Sequence, residues 1–582
     1  MINKQSINKY FDSEAQSARE AWESLMAFPI KERIRKRRTI QRVFFDKDYE
    51  ETSESGYLLK RVSFSTNLSD FKEGDPLLLH KEDTTEGIEC TLVSFEGDNA
   101  VIVEVFPPNM PSDIESYYDV PLILDKNCVD LRENVYYHFL DDTSSEQSFW
   151  EGILFNTKPA PLFENKKDIK VELEDTIKNY HLSLLPCQKD AILNSMSTTN
   201  YYLIQGPPGT GKSFVLGLII LEELLYFERK VAIIGPNHMA INNAMGQVLK
   251  IIPKASAIFI KIGQSFNKPQ EKVHVEDTEF EISNIPYLNV GLANSFEHPM
   301  LYGLTPHALY TNRGRDLEFD TLIIDEAGQM TIPLALMGMV KAKKVILAGD
   351  HKQLPPIIPE TVEGELSISA FESLLTGENC TMLDTSFRMC EPICNFVSDL
   401  FYEGKVKPFK KGCSDLLICE SPLFSFNSPI VFHNVDDSGE QTSDLEAIFI
   451  TEAITGFLER GINPTDLAVL SPFRAQAANI RRRIRKIDSI PESDRALIVS
   501  DTVDKMQGQE REIILFSLTA GDPNYLADMA DFLLNPNKLN VAFSRAKSKL
   551  IIVGNFKQLE ELDLDDYPHV KKLLEYASKL SV

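Results

Sequence analysis

Long apolar runs, patterned cysteines and an excess of positive charge are what this 582-residue sequence lacks. The most apolar run, Phe214–Phe227, is interrupted by Glu222 and Glu223, so no segment reads as a bilayer-spanning helix. Met1-Ile-Asn-Lys-Gln5 carries no signal-peptide core. Both absences predict an intracellular protein, cytoplasmic (nuclear if the source is a eukaryote), with no membrane partner. Eight cysteines in this length do not suggest a disulfide framework. Cys390-x3-Cys394 and Cys413-x5-Cys419 match no common zinc spacing, so free buried thiols are expected. The formal charge is −26, from 86 acidic against 60 basic residues. That excludes a protein coating nucleic acid with its whole surface, but not one with a narrow basic channel. Basic clusters exist at Arg33 to Arg38, at Lys405, Lys407, Lys410 and Lys411, and at Arg481 to Lys486. A solvated helix face or loop is the plain alternative for each.

What is present is an ordinary globular composition, 43 % hydrophobic and 25 % charged. The length suits roughly three to five domains. Residues 1–39 form a helical segment, with Ala15, Ala18, Ala21, Trp22, Leu25 and Met26 at helical spacing. Residues 40–125 carry short strand runs (Tyr57–Phe64, Pro76–Leu79, Thr91–Phe95, Ala100–Val105) separated by Gly, Asp and Asn, which predicts a small β-barrel, stalk-like in position. Residues 126–178 are a connector. From 179 on, strands alternate with helices, as in α/β folds with parallel sheets. Tyr202–Gln205, Val231–Gly235, Thr321–Ile324 and Lys344–Ala348 are the strand candidates of a first lobe, 179–378. Ile430–Phe432, Leu467–Leu470, Ile513–Ser517 and Lys549–Val553 are those of a second, 379–582. The fold class is α/β: two tandem RecA-like P-loop NTPase lobes, preceded by the helical segment and the barrel.

The strongest local signal is Gly206-Pro-Pro-Gly-Thr-Gly-Lys212-Ser213, which fits G-x-x-x-x-G-K-[ST] between a strand and a helix. Such a loop turns backbone N–H groups inward around phosphate oxygens, and the following helix N-terminus adds positive potential. Gly206, Pro207, Gly209, Thr210 and Gly211 form the cradle for ATP. Lys212 reaches the β- and γ-phosphates, and Ser213 offers a hydroxyl to Mg²⁺. Asp325 and Glu326 follow the apolar run Thr321–Ile324. A carboxylate there can hold Mg²⁺, the role expected of Asp325, and its neighbour Glu326 can take a proton from the attacking water. Gln353, in Gly349-Asp-His-Lys-Gln-Leu-Pro-Pro356, is positioned to sense the γ-phosphate. Arg388 and Arg545 are the guanidinium candidates for the charge that develops in phosphoryl transfer.

Taken together, these motifs resemble superfamily 1 helicases of the 5′-to-3′ class, and more narrowly the family of the nonsense-mediated-decay helicase and senataxin. The markers run in the family's order over about 180–555: the P-loop, Asp325-Glu-Ala-Gly-Gln329, Gly349–Pro356, Phe387-Arg-Met389, Thr502-Val-Asp-Lys-Met-Gln-Gly-Gln-Glu510 and Leu539–Lys547. Ser69–Asp75 resembles the entry to the family's barrel. The resemblance implies that Gln188 reads adenine, that Phe387 stacks on the base where tyrosine is usual, and that Glu510 contacts the ribose, with Gln507 and Gly508 in the same loop. It also implies nucleic-acid contacts at Pro236, Asn237, Pro472, Arg474 and Thr502.

Departures are local. Gly235-Pro-Asn-His238 replaces Ala-Pro-Ser-Asn, Asn294-Ser-Phe296 replaces a Thr-Cys pair, and glycine stands at 328. Gln264–Ile285, polar and weakly helical in pattern, makes a short insertion. The expected activity is an ATP- and Mg²⁺-dependent helicase or translocase on single-stranded RNA or DNA, moving 5′ to 3′ by resemblance. The alternative is an ATP-gated switch that binds RNA or a protein and translocates little. No nuclease motif is visible, so cleavage would need a separate nuclease or regulatory partner. Nothing in the sequence specifies an oligomeric state.

Overall fold

The strand runs after residue 38 pair antiparallel, and most of them contribute apolar side chains to one shared core. In the computed structural model these are β1 (Thr39–Phe45), β2 (Glu51–Thr52), β3 (Leu58–Ser63), β4 (Pro76–His80), β5 (Gly87–Glu96), β6 (Ala100–Val105) and β7 (Leu122–Lys126). Because β1 pairs with both β7 and β3, the order β1-β7-β4-β5-β6-β3 closes on itself, with β2 beside β3. The predicted barrel is therefore present, filled by Val43, Val62, Leu77, Leu79, Leu92, Val101, Val103 and Leu124. The structure describes all residues except 1–2, 53–57, 66, 68, 72–74, 83, 85, 98, 106–109, 129–134, 142–149, 151, 154–161, 253–258, 263–269, 276–277, 285–299, 312–313, 360–361, 363, 413–419, 422–423, 426–427, 507 and 581–582.

The N-terminal segment is helical over Lys4–Met26 and Ile30–Arg35. Its buried anchors are Ile7, Tyr10 and Phe11, whereas Ala18 and Ala21 of the expected face are exposed. Phe11 stacks on Tyr136 at 3.9 Å, and both join the apolar layer on one side of the first α/β sheet. Arg33 is not on a solvated face: it is buried in an ion pair with Asp125, which also accepts from Thr39 and contacts His80. That pair ties the second helix to the barrel.

The first α/β sheet contains β8 (Tyr201–Gln205), β9 (Val231–Ile234), β10 (Phe259–Lys261), β11 (Gln270–Val275), β12 (Thr278–Asn284), β13 (Leu301–Leu304), β14 (Phe319–Ile324), β15 (Ala342–Gly349) and β16 (Cys380–Met382). Their order is β11-β12-β10-β13-β9-β14-β15-β8-β16, and every pairing but β11–β12 is parallel. Helices cover both faces, so its inner strands read as unbroken apolar runs such as Leu322-Ile-Ile324. β11 and β12 correct one expectation: within 264–285, where weak helix was expected, residues 270–275 and 278–284 are antiparallel strands. Asn294-Ser-Phe296 lies outside the described residues.

A smaller pair, β17 (Thr385–Cys390) and β18 (Lys407–Lys410), and the short β19 (Glu420–Ser421) and β20 (Phe424–Ser425) lead to the second sheet. That sheet has the order β21-β25-β24-β22-β23, all parallel, from β21 (Ile430–Asn434), β22 (Leu467–Ser471), β23 (Val499–Thr502), β24 (Arg511–Ser517) and β25 (Ala546–Gly554). The fold is thus the expected pair of α/β lobes. Cys390 and Cys394 are buried and outside any disulfide, the Cys390 thiol lying against the Ser548 carbonyl at 3.8 Å, and Cys413 and Cys419 lie outside the described residues. Among the described residues no helix is long and apolar enough to cross a membrane.

Candidate functional site

Parallel sheets expose functional loops at the carboxyl ends of their strands. In the first lobe β8 ends in the glycine loop, β14 in Asp325-Glu326 and β15 in Asp350. The loop starts against β15, where the Gly206 N–H donates to the Gly349 carbonyl at 2.9 Å. Gly209 and Gly211 both adopt the left-handed region, at φ +73° and +80°. A Cβ on Gly209 would lie 2.4 Å from Arg388 Cβ, so the loop closes directly beneath a side chain of the second lobe. Thr210 is buried and turns its hydroxyl onto the Pro207 carbonyl at 2.8 Å.

Lys212 opens the helix Lys212–Leu225 and donates to both Asp325 and Glu326, the latter at 2.8 Å. Burial works against its charge, but the two carboxylates outweigh it and raise its pKa. Burial also pushes Asp325 upward, against the pull of Lys212. For Glu326 the balance reverses: Lys212 and the Gln329 amide, 2.9 Å away, overcome burial and hold the carboxyl below its ordinary range. Glu326 itself sits at φ +55°, a strained setting typical of functional positions. The glycine at 328 has a steric reason: a Cβ there would lie 2.8 Å from the Asp350 carbonyl oxygen.

The second lobe meets this edge with the amino ends of its strands. Glu510 precedes β24 and Arg545 precedes β25; the Arg511 N–H donates to the Arg545 carbonyl at 3.0 Å. Arg545 is buried and donates to Gln353 Oε1 at 3.2 Å. Burial, with Arg388 nearby, holds its pKa below the guanidinium range. Arg388 donates to Glu510 at 2.5 Å and to the Ser544 carbonyl at 3.1 Å. Lys547 pairs with the other Glu510 oxygen at 2.9 Å. Burial would raise the Glu510 carboxyl, but these two cations lower it. Between the lobes lies a cavity of about 570 Å³ whose wall includes the glycine loop, Ser213, Glu326, Gln353, Arg388, Glu510 and Arg545. The structure thus gathers the predicted phosphate and catalytic side chains around one space; Asp325 borders the adjoining cavity together with Ser213 and Glu326.

At its other end, Phe387 lies against Phe409, with ring centroids 4.7 Å apart. Sequence reasoning missed Phe409, an exposed aromatic immediately before the wall residue Lys410. Gln188 is buried and already engaged: its amide donates to the Thr210 carbonyl at 3.2 Å and its oxygen accepts the Leu185 N–H at 3.0 Å. It braces the glycine loop in this arrangement. Lys547 and Tyr402 are further polar neighbours to which the sequence gave no role; Gln507 is outside the described residues.

The nucleic-acid candidates fall at other strand ends. Pro236 and Asn237 follow β9 and are exposed, and Asn237 caps the helix His238–Ile251 by accepting from the Ala240 N–H at 3.0 Å. Pro472 and Thr502 follow and end the paired strands β22 and β23, where Ser471 faces Thr502. Thr502 is buried and Arg474 exposed. A second cavity of about 520 Å³ joins the sides: Asn237 lines it with Ser213, Asp325, Glu326 and Lys505. Pro472, Arg474 and Thr502 are not on its wall.

Two family models described as AAA domain match residues 307–360 and 366–557. The DNA replication ATP-dependent helicase/nuclease dna2 of Schizosaccharomyces pombe is 27 % identical over 421 residues, 67 % of this chain and 29 % of its own length. The DNA polymerase alpha-associated DNA helicase A of the same yeast is 26 % identical over 67 % of this chain and 66 % of itself. The regulator of nonsense transcripts 1 of Dictyostelium discoideum is 28 % identical over 69 % of this chain and 32 % of itself. The chain therefore spans less than two thirds of each of these relatives. Among solved structures, the arterivirus nonstructural protein 10 (helicase) aligns with 88 % of this chain and 79 % of its own, at 12 % identity and TM-score 0.38.

Proposed function

The chain belongs to superfamily 1 of the helicases, among the DNA2/NAM7-like members, and on that premise we propose that it is an ATP-driven motor on single-stranded nucleic acid. One observation carries the reading: Lys212, Ser213 and Glu326 of one lobe and Arg388 and Arg545 of the other line a single cavity. Lys212 exchanges its carboxylate partners for β- and γ-phosphate oxygens. Glu326, held ionised beside it, accepts a proton from the attacking water. Gln353, Arg388 and Arg545 close over the γ-phosphate, where charge builds during transfer. Phe387 and Phe409 offer faces to the base, and Glu510 an acceptor to the ribose. The Ser213 hydroxyl and the Asp325 carboxylate are hard oxygen donors on one cavity wall and suit Mg²⁺, which would neutralise phosphate charge. Opening and closing of the lobes shifts the Asn237 side of the strand path against the Pro472, Arg474 and Thr502 side, 5′ to 3′ by family likeness. Phosphate contacts of this kind carry no sequence preference.

The test is ATP hydrolysis by purified protein without nucleic acid, with single-stranded RNA and with single-stranded DNA. Stimulation by a strand, abolished by Glu326→Gln, supports the motor and names its track. Hydrolysis indifferent to both strands overturns it in favour of an ATP-gated switch.

A further inference from the structure

The loop Asp350–Gln353 of the first lobe is held mainly from the second. Asn537 Nδ2 donates to the Gln353 carbonyl at 2.5 Å and the His351 carbonyl at 3.2 Å. Asn540 Nδ2 donates to the Lys352 carbonyl at 2.6 Å and to the Tyr402 hydroxyl at 2.7 Å. Tyr402 ends the helix Glu391–Phe401, and its hydroxyl donates to Asp350 Oδ2 at 2.6 Å. The same oxygen accepts from Gln353 Nε2 at 3.0 Å, while Oδ1 accepts from Gln205 and the Lys352 N–H.

Among the described residues, the hydrogen-bond donors to the buried Asp350 carboxylate are therefore uncharged: Gln205, the Lys352 N–H, Gln353 and Tyr402. Its nearest linked cation is Arg545, one side chain away: Gln353 gives its amide to Asp350 and takes Arg545 Nη2 on its oxygen at 3.2 Å. A buried carboxylate short of donors draws a neighbouring guanidinium strongly. The hydroxyl from the second lobe keeps that demand met, leaving Arg545 and Gln353 to face the cavity.

We propose that Tyr402 is a positioning residue for the ATPase: it sets the Asp350–Gln353–Arg545 chain and links the approach of the second lobe to the γ-phosphate end of the site. The hydroxyl reaches Asp350 only while the lobes are apposed. As they separate, Tyr402 and Arg545, both on the second lobe, leave together; with the lobes apposed and that hydroxyl missing, Asp350 competes for Arg545 and draws it from the γ-phosphate end. The inference rests on the motor reading, through the roles given to Gln353 and Arg545.

The experiment is a double-mutant cycle of Tyr402→Phe and Asp350→Asn, reading kcat and KM for ATP with a saturating strand, beside thermal melting. Tyr402→Phe removes one oxygen and keeps the ring. Its expected effect is a fall in kcat of about tenfold, with KM for ATP within about twofold. In the Asp350→Asn background, where no buried charge competes for Arg545, the same substitution is expected to change kcat less than twofold, a strong coupling. A lower melting temperature with kcat intact would mean that Tyr402 only packs and would overturn the proposal. So would equal effects of Tyr402→Phe in both backgrounds. If the unsubstituted protein hydrolyses ATP without regard to strand, the motor reading fails instead, and the two failures are told apart.

Discussion

Glu326→Gln separates two jobs that the structure gives to one carboxylate. Glu326 is positioned to receive a proton from water, and it also holds Lys212 away from the phosphates at 2.8 Å. ATP must break that contact and the one to Asp325 before Lys212 can serve it. A hydrogen bond between two charged groups is about twice as strong as a neutral one, and bonds to charged groups are worth about 1.5–3 kcal/mol. Neutralising Glu326 therefore relieves Lys212 of about 1 kcal/mol of competition, while Asp325 still holds it. That corresponds to ATP binding roughly fivefold tighter. Hydrolysis should fall by about 10²–10⁴, as for loss of a general base. A fluorescent ATP analogue titrated into both proteins gives the affinity, and single-turnover hydrolysis gives the rate. Slow hydrolysis with weakened binding would refute the idea that Glu326 restrains Lys212. Undiminished hydrolysis would refute its role as base.

Gly209→Ala places a Cβ 2.4 Å from that of Arg388 at a positive φ, so ATP affinity should drop by at least about tenfold with a fold still visible by circular dichroism. Phe387→Ala and Phe409→Ala should each raise KM for ATP, by roughly fivefold or more for Phe387, with kcat little changed, because stacking of a base on an aromatic is worth about 1–3 kcal/mol. Glu446 is buried, accepts from the Ser517 hydroxyl and the Thr519 N–H, and has its pKa pushed up by burial to about 8. A carboxyl raised on folding favours the native state at low pH and loses that contribution as pH rises toward 8. Urea unfolding should therefore show stability declining between about pH 5 and 8, and Glu446→Gln should flatten that slope; an unchanged slope would exclude Glu446 as its source.

Much of the site was legible because parallel, doubly covered strands leave continuous apolar runs, and the loops after them carry the polar residues. Leu203-Ile204 and Ile323-Ile324 marked β8 and β14, and the glycine loop and Asp325-Glu326 follow at their ends. The barrel was legible for a different reason, its short β-rich runs separated by Gly, Asp and Asn. The antiparallel pair β11–β12 was misread, although Glu279-Phe-Glu-Ile-Ser283 alternates as a strand does. In the N-terminal helix, small alanines suggested a face that larger side chains, Tyr10 and Phe11, in fact supply. Gln188 was identified, but its grip on Thr210 depends on a loop 22 residues away. Tyr402 and Phe409 were invisible because their partners are distant in sequence: Asp350 lies 52 residues from Tyr402, and no local pattern announces such pairs.

The central claim is that ATP turnover moves this chain along a strand. The most direct measurement is release of a labelled strand from duplexes bearing a 5′ or a 3′ single-stranded tail, made in RNA and in DNA, with ATP and Mg²⁺. The account predicts ATP-dependent release from the 5′-tailed duplex of at least one nucleic acid, and none with Glu326→Gln. ATP hydrolysis that displaces no strand from any of these duplexes would contradict it.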